Sequence, residues 1–247
     1  MSVYSIQSVP LCSLFEQKRT RYVSVMPIQD VLQDRVLEMR LTYLFDPLCG
    51  WCYGAGPAIE TLAARDGIAL ELLPTGLFAG RGAGRMDAQF AEYAWSNDQR
   101  IAKLTGQRFT DDYRKRILGA GGAFDSTAAS LGLTAVHLTD PGRELTALKE
   151  LQLARYVHGQ DIVSTAGVSE ILRSLGLADA AERMLARDQA LVEADGRRIQ
   201  TAQTSMRRHG LSGVPALLAG DGTAQRPLPG NVLYEPLDGL LAQLGAA

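Results

Sequence analysis

Cysteine is scarce in this 247-residue chain, with three copies, and histidine is equally rare. Three thiols cannot make the dense, even-numbered disulfide framework of a small secreted domain. The histidines, His137, His158 and His209, are isolated and offer no metal-ligand spacing. An excess of charge of one sign is also lacking: the net charge is −2, so no global field draws in nucleic acid or an anionic membrane. Two local basic stretches, Arg81-Gly82-Ala83-Gly84-Arg85 and Met206-Arg207-Arg208-His209, are short and read as solvated surface. There is no run of about 18 apolar residues to span a bilayer. The N-terminus has no basic segment leading into an apolar core with a small-residue cleavage site, and Val9-Pro10-Leu11 before Cys12 fits a lipoprotein box poorly. The expected compartment is therefore the cytoplasm, which is reducing. Apolar residues are plentiful at 46%, enough for a full core in one large or two small domains.

Two of the three cysteines stand close together, in Leu44-Phe45-Asp46-Pro47-Leu48-Cys49-Gly50-Trp51-Cys52-Tyr53-Gly54. A β-type run, Met39 to Phe45, precedes a proline turn, and Ala55, Ile59, Leu62 and Ala63 then recur at helical spacing. Cys49 and Cys52 thus open a helix and share a face of it, so their sulfurs can join and part. A helix N-terminus stabilises a thiolate, which makes Cys49 the better nucleophile and leaving group. The competing readings are half of a zinc site or two structural thiols. A structural zinc needs four N/S ligands, and Cys12, in a poorly patterned N-terminal stretch, is the one further cysteine. Redox chemistry is the leading reading. Pro57 inside this helix predicts a kink.

Ile68 to Leu73, bounded by Gly67 and Pro74, reads as a second strand, completing a βαβ unit with parallel neighbours. From Thr75 to about Leu211 helical periodicity takes over. This block opens on the loop Gly76 to Gly84, whose spacing does not suit phosphate binding. Helices are expected at Met86 to Leu104, Asp111 to Leu118, Asp125 to Leu131, Arg143 to His158, Ser164 to Leu175 and Asp179 to Arg208. In the last, Leu185, Val192, Ile199 and Met206 fall seven apart beside Met184 and Leu191, a core-facing stripe; Gly196 within it marks a break or a packing site. Strand character returns at Gly213 to Ala219, entered through Val214-Pro215. A turn at Gly220-Asp221-Gly222, a return strand to Leu228 and an amphipathic helix from Glu235 to Leu244 follow.

A βαβ with a CxxC at its helix start, joined to a ββα that begins with Val-Pro, resembles the thioredoxin fold, and the helical block resembles the insertion of the DsbA branch. More narrowly, the stretch Asp46 to Gly54, the Gly76 to Gly84 loop and Phe124-Asp125-Ser126-Thr127-Ala128-Ala129 are similar to DsbA-family proteins of the protein-disulfide isomerase type. That group is related to FrnE-like oxidoreductases and 2-hydroxychromene-2-carboxylate isomerases. The resemblance implies an α/β thioredoxin fold at 39–75 and 210–247, a helical insertion at 76–209 and an N-terminal extension at 1–38. It implies Cys49 as the attacking thiolate, Cys52 as the resolving cysteine and Pro215 as a cis-proline against the disulfide. Val214 would bond an extended substrate, beside Gly50 and Trp51. Two departures stand out. Thioredoxins carry a buried acid where this chain has Tyr43, which leaves the proton of the resolving step unassigned. The intervening pair is Gly50-Trp51, and reduction potential depends on that neighbourhood.

The implied activity is a thiol-disulfide oxidoreductase or isomerase acting on protein or small-thiol disulfides. It needs no metal or organic cofactor and uses glutathione or a dithiol partner for exchange; neither nucleic acid nor membrane is an expected partner. A glutathione-dependent isomerase or transferase of the kappa or hydroxychromene-carboxylate type is the alternative, although such sites generally carry serine where Cys49 stands. A holdase binding unfolded chains through the insertion is a third reading. Trp51 is expected to face solvent and shield the disulfide. Phe78, Phe90, Tyr93 and Trp95 read first as core and second as a groove above the site. His158 reads as a satisfied, partly buried side chain, His209 as a helix-end partner for the dipole, and Cys12 as a free thiol.

Overall fold

In the computed structural model, residues 39–245 are described; the N-terminal extension and Cys12 lie outside them. The sheet is organised around β1 (Met39–Phe45). It pairs in parallel with β2 (Ile68–Pro74) from Met39↔Ile68 to Phe45↔Pro74, and antiparallel with β5 (Ala216–Ala219) from Leu41↔Ala219 to Leu44↔Ala216. A two-residue β6 (Arg226–Pro227) continues beyond β5, giving the order β2-β1-β5-β6. Alternation along β1 sends its side chains to two cores. Leu41, Tyr43 and Phe45 join the larger one with Cys52, Ile59 and Leu62. Leu44 joins Leu73, Ala216 and Leu218 in a smaller one. Ala202 of α8 (Gln189–Arg208) closes that smaller core.

The crossover between β1 and β2 is α1 (Gly50–Ala63), which carries both cysteines. Pro57 within α1 has no N–H for the carbonyl of Tyr53, and the Gln107 side-chain amide donates to that oxygen instead, at 2.9 Å. The first insertion helix, α2 (Ala88–Thr105), is capped by Asp87, which accepts from Phe90 N, and ends on Gly106 at φ 74°. It rides close to α1 because Gly50 and Gly54, four residues apart on one face, present no side chain. A Cβ at Gly54 would stand 2.6 Å from Ile101 Cγ2.

Next come α3 (Asp111–Tyr113), which runs into a π turn over Arg114–Leu118, and α4 (Thr127–Thr139). From Ala128 to Val136 every residue of α4 is buried, the pattern of a helix enclosed by others. Those others include α5 (Glu144–Tyr156), α6 (Thr165–Ser174), α7 (Ala178–Ala186) and α8. A final α9 (Leu237–Gly245) sends Leu240 and Leu244 into the larger core. The architecture is a DsbA-like thioredoxin fold, with the helices inserted between β2 and β5. Among the described residues no helix is long and apolar enough to cross a membrane.

Four expectations need correction. The block is not wholly helical: β3 (Gly84–Arg85) pairs with β4 (Ala123–Phe124) and closes the glycine loop onto the start of α4. The long helix from Asp179 breaks at Arg187, in the left-handed region at φ 46°, and restarts at Asp188. Asp188 caps α8 by accepting from Leu191 N at 2.7 Å. The seven-residue spacing carries across the break one position earlier than expected, so Met184, Leu191 and Arg198 are buried while Leu185 and Val192 are exposed, and Gly196 lies undisturbed inside α8. His158 follows the end of α5 and is exposed.

The buried face of α8 carries charge. Arg198 donates to the carbonyl of Leu72 at 2.7 Å and to Thr134 Oγ1 at 2.9 Å, and pairs with Glu144 of α5. Asp195 accepts from Thr134 at 2.8 Å, and His137 bonds the other oxygen of Glu144. Removing one member of a buried pair costs about 3–5 kcal/mol, because a charge is left uncompensated. This network fastens β2 to α4, α5 and α8.

Candidate active site

Cys49 is the N-cap of α1 and Cys52 lies in its first turn; both are free thiols, 7% and 1% exposed. The Cys49 Sγ donates to the backbone oxygen of Val214 at 3.6 Å, across 165 residues of chain. The Val214–Pro215 bond is cis. Cys49, Cys52, Gly50, Trp51, Val214 and Pro215 are thus brought to one place, where the end of β1 faces the loop before β5. Trp51 is half-buried; its ring meets Tyr234 edge-on at 5.4 Å, and the Tyr234 hydroxyl donates to Trp51 O.

The turn before Cys49 is held by Asp46, which is fully buried. Its carboxylate accepts from Leu48 N at 2.9 Å, Phe78 N at 3.0 Å and Ser126 Oγ at 2.8 Å. One side chain therefore clamps the cysteine turn, the glycine loop and the start of α4, the three segments singled out in the sequence. Burial pushes its pKa up, and the three donors partly offset this.

In front of Cys49 lies a cavity of about 280 Å³, lined by Trp51, Phe78, Phe90, Tyr93, Phe124 and Tyr156 among others. Phe78 and Phe90 pack against the larger core and line this groove as well, and Tyr93 stands 66% exposed at its rim. Trp95 is absent from it and instead carries the Arg114 guanidinium over its ring at 4.9 Å.

Asp98, on α2, is the one carboxylate in the wall. Its Oδ1 stands 2.5 Å from where a Cβ on Gly50 would be, so a side chain at position 50 displaces it. Tyr113 OH donates to Asp98 Oδ2 at 2.9 Å, and burial pushes the Asp98 pKa up to about 7 against the pull of Tyr113 and the Arg155 charge. Arg155, 2% exposed, lies over the rings of Tyr113, Phe124 and Tyr156 at 5.6–5.8 Å. Sequence reasoning missed Asp98, Tyr113 and Arg155. Asp98 had a signal: it shares a helical face with Ala94, Ile101 and Thr105, an acid on an apolar stripe. Among the described residues no cluster of His, Cys, Asp and Glu is placed to hold a metal ion.

The family model of the DSBA-like thioredoxin domain matches residues 40–242. The chain belongs to the DsbA-like thioredoxin family. It is similar to the cytosolic disulfide reductase DsbM from Pseudomonas aeruginosa, at 30% identity and a TM-score of 0.73, covering 84% of this chain and all of that one. The structure of DsbM with GSH aligns at 30% identity and a TM-score of 0.71, over 83% of this chain and 99% of the other. A Nitrosomonas europaea protein shares the fold at 22% identity and a TM-score of 0.69, over 85% and 97%. Among curated proteins nothing matches. Members of the DsbA family are thiol-disulfide oxidoreductases, and the placement of two free thiols at a helix start accords with that class of chemistry.

Proposed function

We propose that the protein is a thiol-disulfide reductase or isomerase that works through the Cys49-Gly50-Trp51-Cys52 dithiol and a mixed disulfide at Cys49. The observation that carries the reading is the approach of Cys49 Sγ to Val214 O, with Cys52 buried beneath it. A thiolate at Cys49 attacks one sulfur of the substrate disulfide; the Cys49–substrate bond forms and the other substrate sulfur leaves as a thiolate. Cys52 then attacks Cys49, the Cys49–Cys52 bond forms, and the second substrate sulfur departs with the electron pair. A reductant of the thiol class resets the dithiol by the reverse exchange.

In this reading residues 39–75 and 210–247 carry the chemistry, and 76–209 supply the wall against which a substrate lies. The aromatic groove suits an apolar segment flanking a substrate cysteine. The reducing direction and a cytoplasmic setting draw support from the cytosolic reductase to which the chain is similar, and glutathione as exchange partner from that protein's structure with GSH. A second cysteine directly beneath the first favours dithiol exchange over a monothiol transferase.

The test is reduction of insulin disulfides by the full chain, combined with the equilibrium of the Cys49-Cys52 couple across a glutathione series. Turnover lost in Cys49→Ser, with a couple at least as reducing as glutathione, is the expected result. Undetectable insulin reduction by the unaltered protein, with glutathione addition to a small electrophile retained in Cys52→Ser, would replace the reading by the transferase one.

A further inference from the structure

The resolving step leaves a proton to be placed. Cys52 is 1% exposed, and its surroundings are Cys49, the Tyr43 hydroxyl and the backbone N–H and carboxylate of Asp46. Burial first, then Cys49, push its pKa well above the ordinary thiol range. Its S–H must still lose a proton for the sulfur to attack. The Asp46 carboxylate already accepts three hydrogen bonds. The Tyr43 hydroxyl donates to Cys52 O at 3.2 Å, and burial, reinforced by the charges of Cys52 and Cys49, raises its own pKa.

A second cavity, of about 140 Å³, reaches Cys52 from behind and shares no lining residue with the aromatic groove. Tyr43 and Cys52 form its inner wall, Gln107 and Gln152 line it between aliphatic side chains such as Ile59 and Leu148, and Glu60 and Lys149 stand at its edge. Those last two pair at 2.8 Å with side chains 38% and 45% exposed, so they mark its solvent end. Gln152 is 3% exposed, and among the described residues its Nε2 has no hydrogen-bond partner. An unpaired buried donor costs about 1–3 kcal/mol, and a cavity of this size, walled by polar and apolar groups in similar measure, has room for water between the amides, the phenols and the ion pair.

We propose that this cavity is the proton exit of Cys52, a water-filled path in which Gln152 is the positioning residue and the Glu60–Lys149 pair is the outlet. The proposal rests on the dithiol reading above. As Cys52 closes onto Cys49, its proton passes to cavity water and leaves past Glu60. The Cys49–Cys52 bond forms, the Cys49–substrate bond breaks, and the pair of electrons departs on the substrate sulfur. The reverse reaction returns a proton by the same route. The path does the work that the missing acid at Tyr43 leaves open, with a helix of the insertion, α5, supplying Gln152 and Lys149.

The test uses the full chain and the chromogenic disulfide 5,5′-dithiobis(2-nitrobenzoate), whose aromatic thiolate leaves without needing a proton. Attack by Cys49 releases one equivalent, at a rate that rises with reagent concentration. Attack by Cys52 releases the second, at a rate that does not. Gln152→Leu is expected to slow the second phase about 10-fold or more, to enlarge its solvent deuterium isotope effect, and to leave the first phase unchanged, with Gln152→Glu restoring it. Gly56→Leu reaches the cavity without altering Gln152, since a Cβ there meets just Gln107 Nε2, at 3.6 Å; it is expected to give the same split and decides the matter alone if Gln152→Leu does not fold. A second phase unchanged in these variants overturns the proposal, and so does equal slowing of both phases. Absence of the first phase in the unaltered protein would instead overturn the dithiol reading itself.

Discussion

The two sulfurs share one turn of α1, yet they face unlike surroundings. The front, at Cys49, is wide and aromatic, built largely from α2 and the cysteine turn, with Asp98 as its one carboxylate among the described residues. The back, at Cys52, is half the volume and sets two amides, two phenols and an ion pair among aliphatic side chains. On the proposed function, the contrast matches the two halves of an exchange. Attack requires room for the body of a substrate, and resolution requires passage for a proton alone.

The sharpest way to break the comparison is to remove each sulfur in turn. Cys49→Ser should cut insulin reduction by about a thousand-fold or more, whereas Cys52→Ser should still attack and then stall as a mixed disulfide visible by mass spectrometry. A Cys52→Ser protein that turned over freely would erase the distinction between front and back.

The next largest effect concerns pH. Asp98 titrates near 7 in the folded chain and near 4 when unfolded. Between those values the folded state binds the extra proton, so its contribution to stability is full below about pH 4 and is lost as pH rises through 7. Urea unfolding across pH should therefore show Asp98→Asn gaining on the unaltered protein, by up to a few kcal/mol above pH 7. A constant difference across the range would refute this. Asp46 and Asp195, also raised by burial, remain in both proteins and cancel in the subtraction.

Two alanine substitutions on one helix sharpen the comparison further. Gly50→Ala drives a methyl group against the Asp98 carboxylate and should cost about 1–3 kcal/mol in thermal or chemical unfolding. Gly56→Ala, on the roomier back side, should be neutral or gain up to about 1 kcal/mol from helix propensity. Equal effects would mean that α2 does not press on α1 as described.

Much of this site could be read from the sequence, because its chemistry is local. Cys49 and Cys52 are set by helical spacing, β1 and β2 by short apolar runs between turn residues, and the partner at Val214 by the fold that these features imply. The rest depended on tertiary packing. Arg187 takes a left-handed conformation with no glycine to announce it, although Asp188 carried a cap signal. Asp195 and Arg198 look like a solvated helix face until Glu144 and Leu72 O are found opposite them. Gln152 sits on an apolar stripe that gives no hint of a cavity. The two-residue strands β3 and β4 are too short to leave a period.

Arg198 also bears on which parts of the insertion can move. A lid that swung open on the β2 side would have to draw this guanidinium away from Leu72 O, Thr134 and Glu144 together, and local opening is rare where several buried polar bonds must break at once. Arg198 thus fastens α4 and α5 to β2, whereas α2, which gives more of the wall facing Cys49 than any other element, lies outside this network. On that wall Tyr93, exposed at the rim, is free to change rotamer on the picosecond-to-nanosecond scale, far faster than any opening that must break the Arg198 bonds.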